Sequence, residues 1–142
     1  MSDWKTPLRL VEQLDKKGNI HEKGVKKLVS AVAEASELGD KLGCAEFIAF
    51  ATSAVRSAPN SEAVLDEVEK QTGVRLQILS GVEEAQLTFL AARRWYGWSA
   101  GRITNLDIGG GSLELSTGTD EHPDLALSLI HISEPTRLRR IS

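Results

Sequence analysis

The glycine-rich segment LDIGGGSLEL carries an aspartate, three glycines, a serine and a glutamate in close succession. Its three consecutive glycines, Gly109, Gly110 and Gly111, allow backbone angles barred to other residues and remove every Cβ from the loop. Their N–H groups can then point together at a phosphate, as in other anion-binding backbone concavities, and Ser112 adds a hydroxyl donor. Asp107, just before the glycines, is placed to hold a divalent metal through oxygen ligands or water. The segment therefore predicts a phosphate-binding loop with an adjacent metal ligand.

The alternative interpretation of this segment is a hairpin turn with a solvated aspartate, because glycine clusters commonly mark turns. The aspartate before the glycines, together with the serine and Glu114 after them, favours phosphate binding. The spacing matches neither the dinucleotide-binding fingerprint nor the P-loop, since no lysine follows the glycines.

Two adjacent glutamates stand at the start of a predicted helix. Ser80, Gly81, Val82 and Glu83 form a capping-box pattern, which gives Glu83 a structural role. Glu84 lies about 100° further round the helix and has no such role. A glutamate on a surface helix is ordinarily a solvated charge; the alternative for Glu84 is a general base for an attacking water.

Apolar periodicity predicts the secondary structure around these residues. Helices are expected over 22–42, from a cap at Asn60 or Ser61 to Gly73, and from 81 through Trp95; strands are expected over 46–52, 74–79 and 103–108, with 113–116 as the returning arm of a hairpin. Alternating helices and strands predict an α/β fold with a largely parallel central sheet.

Composition excludes several classes of protein. The chain has 142 residues, enough for one ordinary domain, with 41% hydrophobic and 26% charged residues. A net charge of -3 gives no electrostatic case for nucleic acid or an anionic membrane as a partner. No segment approaches the roughly 20 apolar residues of a membrane span. The single cysteine, Cys44, cannot form an internal disulfide, so a reducing, cytoplasmic location is predicted.

Four motifs, in order along the chain, resemble the Ppx/GppA family of exopolyphosphatases and guanosine pentaphosphate phosphohydrolases, a branch of the actin-like ATPase superfamily. They are FATSAVRSAPN (50–60), GVRLQILSGVEEAQLTFLA (73–91), RRWYGW (93–98) and LDIGGGSLEL (106–115). The resemblance runs from about residue 8 to residue 128. It implies an actin-like (ribonuclease H-like) α/β fold, with a first lobe over 1–100 that lacks its N-terminal strands and the start of a second lobe over 101–128.

The resemblance also implies a Mg²⁺-dependent hydrolase that removes the terminal phosphate from inorganic polyphosphate or guanosine pentaphosphate, and it is compatible with a homodimer of the full-length protein. Glu84 matches the proposed catalytic base of the family, and Asp107 and Glu114 match acids that handle metal or water. Residues 109–112 match the phosphate cradle. Arg56 matches the arginine of the ATSAVR motif, where bidentate phosphate recognition and a surface ion pair are both open. The motifs do not choose between the two substrates.

Two departures from the family pattern limit what the resemblance implies. The first phosphate loop of the family, of the Asp-x-Gly-Ser-Asn-Thr type, has no counterpart here, so half of the expected phosphate and metal clamp is missing. Residues 129–142, LIHISEPTRLRRIS, do not match the family, and we expect a non-native or disordered tail, with a genuine basic tail as the alternative. We expect this chain alone to be marginally stable and to have little or no activity. Two other functions stay open, a kinase of the same superfamily and a non-catalytic module that binds guanosine polyphosphates.

Overall fold

The computed structural model describes residues 4–130 and divides them into two compact units, with the division between Leu79 and Ser80. The first unit combines helices with two short strands. In chain order it contains a 3₁₀ turn (Leu10–Gln13), α1 (Glu22–Lys41), β1 (Phe50–Ala51), α2 (Ser53–Arg56), α3 (Ser61–Thr72) and β2 (Gln77–Ile78). β1 and β2 pair in parallel, with Phe50 opposite Gln77.

The helices of the first unit form where the apolar periodicity predicts them. α1 buries Leu28 and Val32 and is followed by Gly43, whose φ of 69° ends the helical backbone. α3 buries Val64 and Val68. Both helices contribute to one core with Leu10, Ile20, Ala51, Val55, Ala58 and Leu76.

The predicted cap of α3 is wrong in one respect. The Asn60 side chain makes no capping bond; its Oδ1 accepts from the Ile20 amide at 2.9 Å and its Nδ2 donates to the Ile20 carbonyl at 3.0 Å. Asn60 therefore ties the segment before α1 to the start of α3, a long-range contact that a local capping rule does not anticipate.

The two predicted strands of the first unit are much shorter than expected. The apolar run 46–52 contributes only two residues to β1, and Phe47, Ile48 and Phe50 are 41–53% exposed. Within the described residues β1 pairs with β2 alone. The apolar run 46–52, which predicts a buried strand, is therefore largely exposed.

The second unit is one helix on an antiparallel sheet. It consists of α4 (Gly81–Tyr96), a 3₁₀ turn (Trp98–Ala100), β3 (Ile103–Ile108), β4 (Ser112–Gly118) and β5 (Leu125–Ile130), with strand order β3-β4-β5. The α/β class is confirmed, but the expected largely parallel sheet is wrong here. The connections 109–111 and 119–124 are too short for the crossover of a dozen or more residues that parallel neighbours need.

Residues 129 and 130, which were assigned to the tail, continue β5, where Leu129 lies opposite Leu113. The rest of the predicted tail, 131–142, lies outside the described residues. The predicted lobe boundary near residue 100 stays a prediction about the complete protein. Within residues 4–130, none of the helices combines the length and the apolar character needed to cross a membrane.

The two faces of this sheet have opposite chemical character. The face toward α4 carries Ile103, Asn105 and Asp107 from β3, Ser112, Glu114, Ser116 and Gly118 from β4, and Ala126 and Ser128 from β5. The other face carries exposed apolar side chains, among them Leu106, Ile108, Leu125, Leu127 and Leu129. A polar layer under a helix is unusual, because a helix and a sheet ordinarily pack through apolar faces.

Candidate phosphate and metal site

The N-terminus of α4 is fixed by the predicted capping box. Ser80 Oγ accepts from the Glu83 amide at 3.2 Å, and Glu83 Oε2 accepts from the Ser80 amide at 2.8 Å. Hydrogen bonding to the Ser80 side chain, and then to its backbone amide, holds the pKa of Glu83 below its ordinary value of 4.5. The structural role predicted for Glu83 is confirmed.

Glu84 lies on the side of α4 that faces the sheet. It is half-buried, and Thr88, four residues on, shares its face of the helix. Thr88 Oγ1 donates to the Glu84 carbonyl at 3.0 Å, and Asn105 Nδ2 of β3 donates to the same hydroxyl at 3.3 Å. A strand residue therefore holds the turn of helix that begins at Glu84.

The direction of α4 brings Glu84 toward the glycine loop. At the far end of the helix, Arg93 Nη2 donates to the carbonyls of Gly101 (2.7 Å) and Gly118 (2.9 Å), beside the start of β3. α4 and β3 are therefore antiparallel. Glu84 therefore lies toward the end of β3 that leads into the glycine loop.

The glycine loop is a tight hairpin connection. The Gly109 amide donates to the Ser112 carbonyl at 3.0 Å, whereas no backbone hydrogen bond between described residues uses the amides of Gly110 or Gly111. None of the three glycines has a positive φ, so the expectation of angles barred to other residues is wrong. The glycines can still bind a phosphate, because they have no side chains to block its approach. The amides of Gly110 and Gly111 are also not used in hydrogen bonds between the strands.

Ser112 follows the loop and is 6% exposed. Its hydroxyl makes no hydrogen bond with any part of the chain that the structure describes. A buried hydroxyl without a partner is uncommon, because the cost of removing it from water is then uncompensated. The predicted donor is present beside the loop and has no competing acceptor among residues 4–130.

Asp107, Glu114 and Ser128 form one row across the three strands. Asp107 lies directly opposite Glu114, and Glu114 lies directly opposite Ser128, all on the face toward α4. Glu114 is 1% exposed, and its carboxylate accepts from Ser128 Oγ at 2.9 Å. Opposed residues of antiparallel strands have Cβ atoms about 4.5–5.5 Å apart, so the structure brings two carboxylates together.

The donor set of this row fits a hard divalent cation. Within residues 4–130, Glu114 has no basic partner, and burying an unpaired carboxylate beside a second carboxylate is costly. No cluster of three or more acidic, histidine or cysteine ligands occurs among the described residues. Mg²⁺ is often held by only one or two carboxylates, with water and substrate phosphate completing its octahedral shell. Asp107 and Glu114 can supply those two carboxylates.

Arg56 belongs to the first unit, at the end of α2. Its Nη1 donates to the carbonyl of Leu79, which follows β2. This contact joins α2 to β2 within the unit. Phosphate recognition by Arg56 stays a prediction.

Sequence reasoning missed Arg93 and Ser128. Arg93 is fully buried and lies 5.7 Å from the Phe89 ring and 5.8 Å from the Trp98 ring, a setting that the RRWYGW motif alone does not disclose. Ser128 belongs to β5, which was not predicted. The alternation of Leu125, Leu127 and Leu129 was the available signal for that strand.

Comparison with known proteins gives consistent results. Residues 1–131 match the family model of the Ppx/GppA phosphatase family. The chain is 61% identical over 129 residues to exopolyphosphatase 1 of Mycobacterium leprae and 60% identical over 129 residues to exopolyphosphatase 1 of Mycobacterium tuberculosis. Each alignment covers 91% of this chain and 38% of the relative.

Solved structures agree with the fold. An exopolyphosphatase from Cytophaga hutchinsonii matches with a TM-score of 0.84 and 25% identity, over 92% of this chain and 42% of that one. The Ppx/GppA family member of Aquifex aeolicus matches with a TM-score of 0.74 and 24% identity, over 87% of this chain and 40% of that one. These matches confirm the predicted actin-like α/β fold. The chain spans about two fifths of the length of the curated relatives it matches, and it belongs to the Ppx/GppA phosphatase family.

Proposed function

We propose that this chain is the part of an exopolyphosphatase that carries its phosphate loop, its metal ligands and its general base. The observation that supports this most strongly is the antiparallel direction of α4 and β3, which directs Glu84 toward the glycine loop in a unit where Asp107 and Glu114 oppose each other. The reaction is hydrolysis of the terminal phosphoanhydride bond of inorganic polyphosphate.

In this proposal Glu84 acts as the general base. Its carboxylate accepts a proton from a water molecule while the water oxygen forms a bond to the terminal phosphorus. The bond from that phosphorus to the bridging oxygen breaks, and the bridging oxygen leaves with the shortened chain. The products are orthophosphate and a polyphosphate one unit shorter.

The loop and the carboxylate pair supply positioning and charge. The amides of Gly110 and Gly111 and the hydroxyl of Ser112 donate to oxygens of the terminal phosphoryl group, where negative charge must be accommodated. Asp107 and Glu114 hold Mg²⁺, which supplies charge neutralisation at the phosphoryl oxygens when bound. Arg56 is a further candidate for phosphate contact.

We favour inorganic polyphosphate as the substrate because the relatives at 60–61% identity are named exopolyphosphatase 1. Guanosine pentaphosphate, cleaved at its terminal anhydride, is the second candidate. The chain covers 38% of those relatives, so we propose that it has little or no activity alone and that selectivity depends on other parts of the complete protein. A cytoplasmic location and a homodimer of the complete protein remain part of the proposal.

A chimera tests this proposal. The aligned segment of 129 residues replaces the matching segment of the Mycobacterium leprae exopolyphosphatase 1, to which it is 61% identical. We expect the chimera to release orthophosphate from polyphosphate with Mg²⁺ present, while the 142-residue chain alone releases little or none. Parallel assays use guanosine pentaphosphate and, for the kinase alternative, ATP with candidate acceptor alcohols.

Three outcomes decide among the functions. Phosphate release without any acceptor supports a hydrolase, whereas release that depends on an acceptor alcohol supports the kinase alternative. A well-folded chimera that binds guanosine pentaphosphate in calorimetry, yet hydrolyses neither substrate, contradicts the hydrolase and supports the binding module.

A further inference from the structure

We propose that Ser128 is a positioning residue for a divalent cation held by Asp107 and Glu114, an inference that rests on the metal site of the proposed function. Ser128 occupies the third place in the row that crosses β3, β4 and β5. Glu114 therefore has a second carboxylate on one side and a hydroxyl on the other.

The contact from Ser128 fixes the Glu114 carboxylate. Ser128 Oγ donates to Glu114 Oε1 at 2.9 Å, and Glu114 is 1% exposed. No other hydrogen bond joins this carboxylate to the described part of the chain. A glutamate has three side-chain torsions, so one hydrogen bond to Oε1 orients the group and leaves Oε2 to bind a cation shared with Asp107.

A second observation indicates that the row faces a ligand. Ser112 lies two residues before Glu114 on the same face of β4; it is 6% exposed, and its hydroxyl has no partner among residues 4–130. Buried hydroxyls ordinarily have a partner, so this one is expected to bond to a group outside residues 4–130. The Ser112 hydroxyl, which has no partner among residues 4–130, thus lies near the carboxylates of Asp107 and Glu114 at the loop end of the sheet.

Ser128 is expected to affect cation affinity because it hydrogen-bonds to Glu114, the proposed metal ligand. Residues that hydrogen-bond to a metal ligand fix its orientation, and their loss typically lowers metal affinity about 10–100-fold. A serine that only satisfies the buried side chain of Glu114 would instead contribute to folding and leave cation affinity unchanged. The two roles therefore differ in a measurable quantity.

The test measures Mn²⁺ binding to the full 142-residue chain by electron paramagnetic resonance of the free ion, with Mg²⁺ as competitor. We expect one Mn²⁺ displaced by Mg²⁺, loss of that site in Asp107→Asn, and about 10–100-fold weaker binding in Ser128→Ala. Ser128→Thr, which keeps a hydroxyl, should restore most of the affinity. Ser116→Ala is the control, because Ser116 lies on the same face of the sheet and its hydroxyl has no bond to Glu114.

Circular dichroism establishes that each variant is folded. If Ser128→Ala fails to fold, Ser128→Thr is compared with Ser128→Val, because these side chains have nearly the same shape and differ in the hydroxyl. Wild-type binding with equal affinity in Ser128→Ala, or in the Thr and Val variants, overturns the role of Ser128 and leaves the proposed function standing. If the wild-type chain binds no Mn²⁺, or if Asp107→Asn binds it equally well, the metal site itself is overturned, whatever the chimera hydrolyses.

Discussion

At the scale of single residues, two neighbouring glutamates have different surroundings. Glu83 closes the capping box with Ser80, whereas Glu84 lies on the face of α4 that Thr88 and Asn105 connect to β3. This distinction was predictable, since the capping box is a local pattern. The row of Asp107, Glu114 and Ser128 was not, because strand register is set by residues distant in sequence.

The capping box makes a prediction about pH. The pKa of Glu83 is lowered, so its ionised form stabilises the start of α4 above the ordinary pKa of 4.5, and this contribution is lost as the pH falls through the lowered pKa. Ser80→Ala should return the pKa of Glu83 toward 4.5. NMR titration of the Glu83 carboxyl carbon in the wild-type chain and in the variant measures this shift. An unchanged pKa in the variant would show that Ser80 does not cause the depression.

At the scale of elements, the buried guanidinium of Arg93 holds α4 against the sheet and so determines where Glu84 lies. It donates to the carbonyls of Gly101 and Gly118, and its neighbours are the rings of Phe89 and Trp98. Arg94, the next residue, is exposed and makes a surface ion pair with Glu121 at 3.5 Å. Arg93 and Arg94 therefore allow a buried and an exposed arginine of the same helix to be compared.

Replacing each arginine by alanine should give unequal losses of stability. Two hydrogen bonds from a charged donor are each worth about 1.5–3 kcal/mol, so Arg93→Ala should lower the free energy of unfolding by about 3 kcal/mol or more. Arg94→Ala should lower it by less than about 1 kcal/mol. Urea unfolding followed by tryptophan fluorescence makes the comparison. Similar losses in both variants would contradict the assigned role of Arg93.

Two glycines of α1 should respond to alanine with opposite signs. A Cβ at Gly24 would lie 2.9 Å from Gln13 Cβ and 2.9 Å from Ile20 Cγ2, so Gly24→Ala should cost about 1–3 kcal/mol by overpacking. At Gly39 the nearest atom is Phe47 Cδ2 at 3.6 Å, an ordinary contact, so Gly39→Ala should add about 0.5–1 kcal/mol of helix stability. Thermal unfolding of both variants checks the signs, and a stabilising Gly24→Ala would refute the packing described for α1.

Sequence patterns predicted individual elements better than their arrangement. α1, α3, α4 and β3 follow from periodicity and end signals, which act over a few residues. The prediction of a parallel sheet is wrong because the alternation of helices and strands does not by itself determine strand direction. The connections 109–111 and 119–124 are short enough only for antiparallel neighbours. The strands around Phe50 and Ile78 were overextended because an apolar run does not by itself provide a pairing partner.

At the scale of the whole molecule, exposed apolar surface accompanies partial coverage of the family. The outer face of the sheet exposes Leu106, Ile108 and Leu127, and the first unit exposes Phe47 and Ile48. Apolar patches of this kind mark surfaces that other segments or chains cover. The chain spans 38% of its curated relatives, and its marginal stability in isolation stays a prediction.

Glu84→Gln in the chimera measures whether Glu84 is the base of a phosphatase site. Glu83→Gln is the matched control, because glutamine can keep the capping box. We predict that Glu84→Gln lowers kcat for polyphosphate hydrolysis about 10²–10⁴-fold with little change in KM, while Glu83→Gln stays near the parent value. A folded Glu84→Gln chimera that keeps the parent kcat would contradict the account.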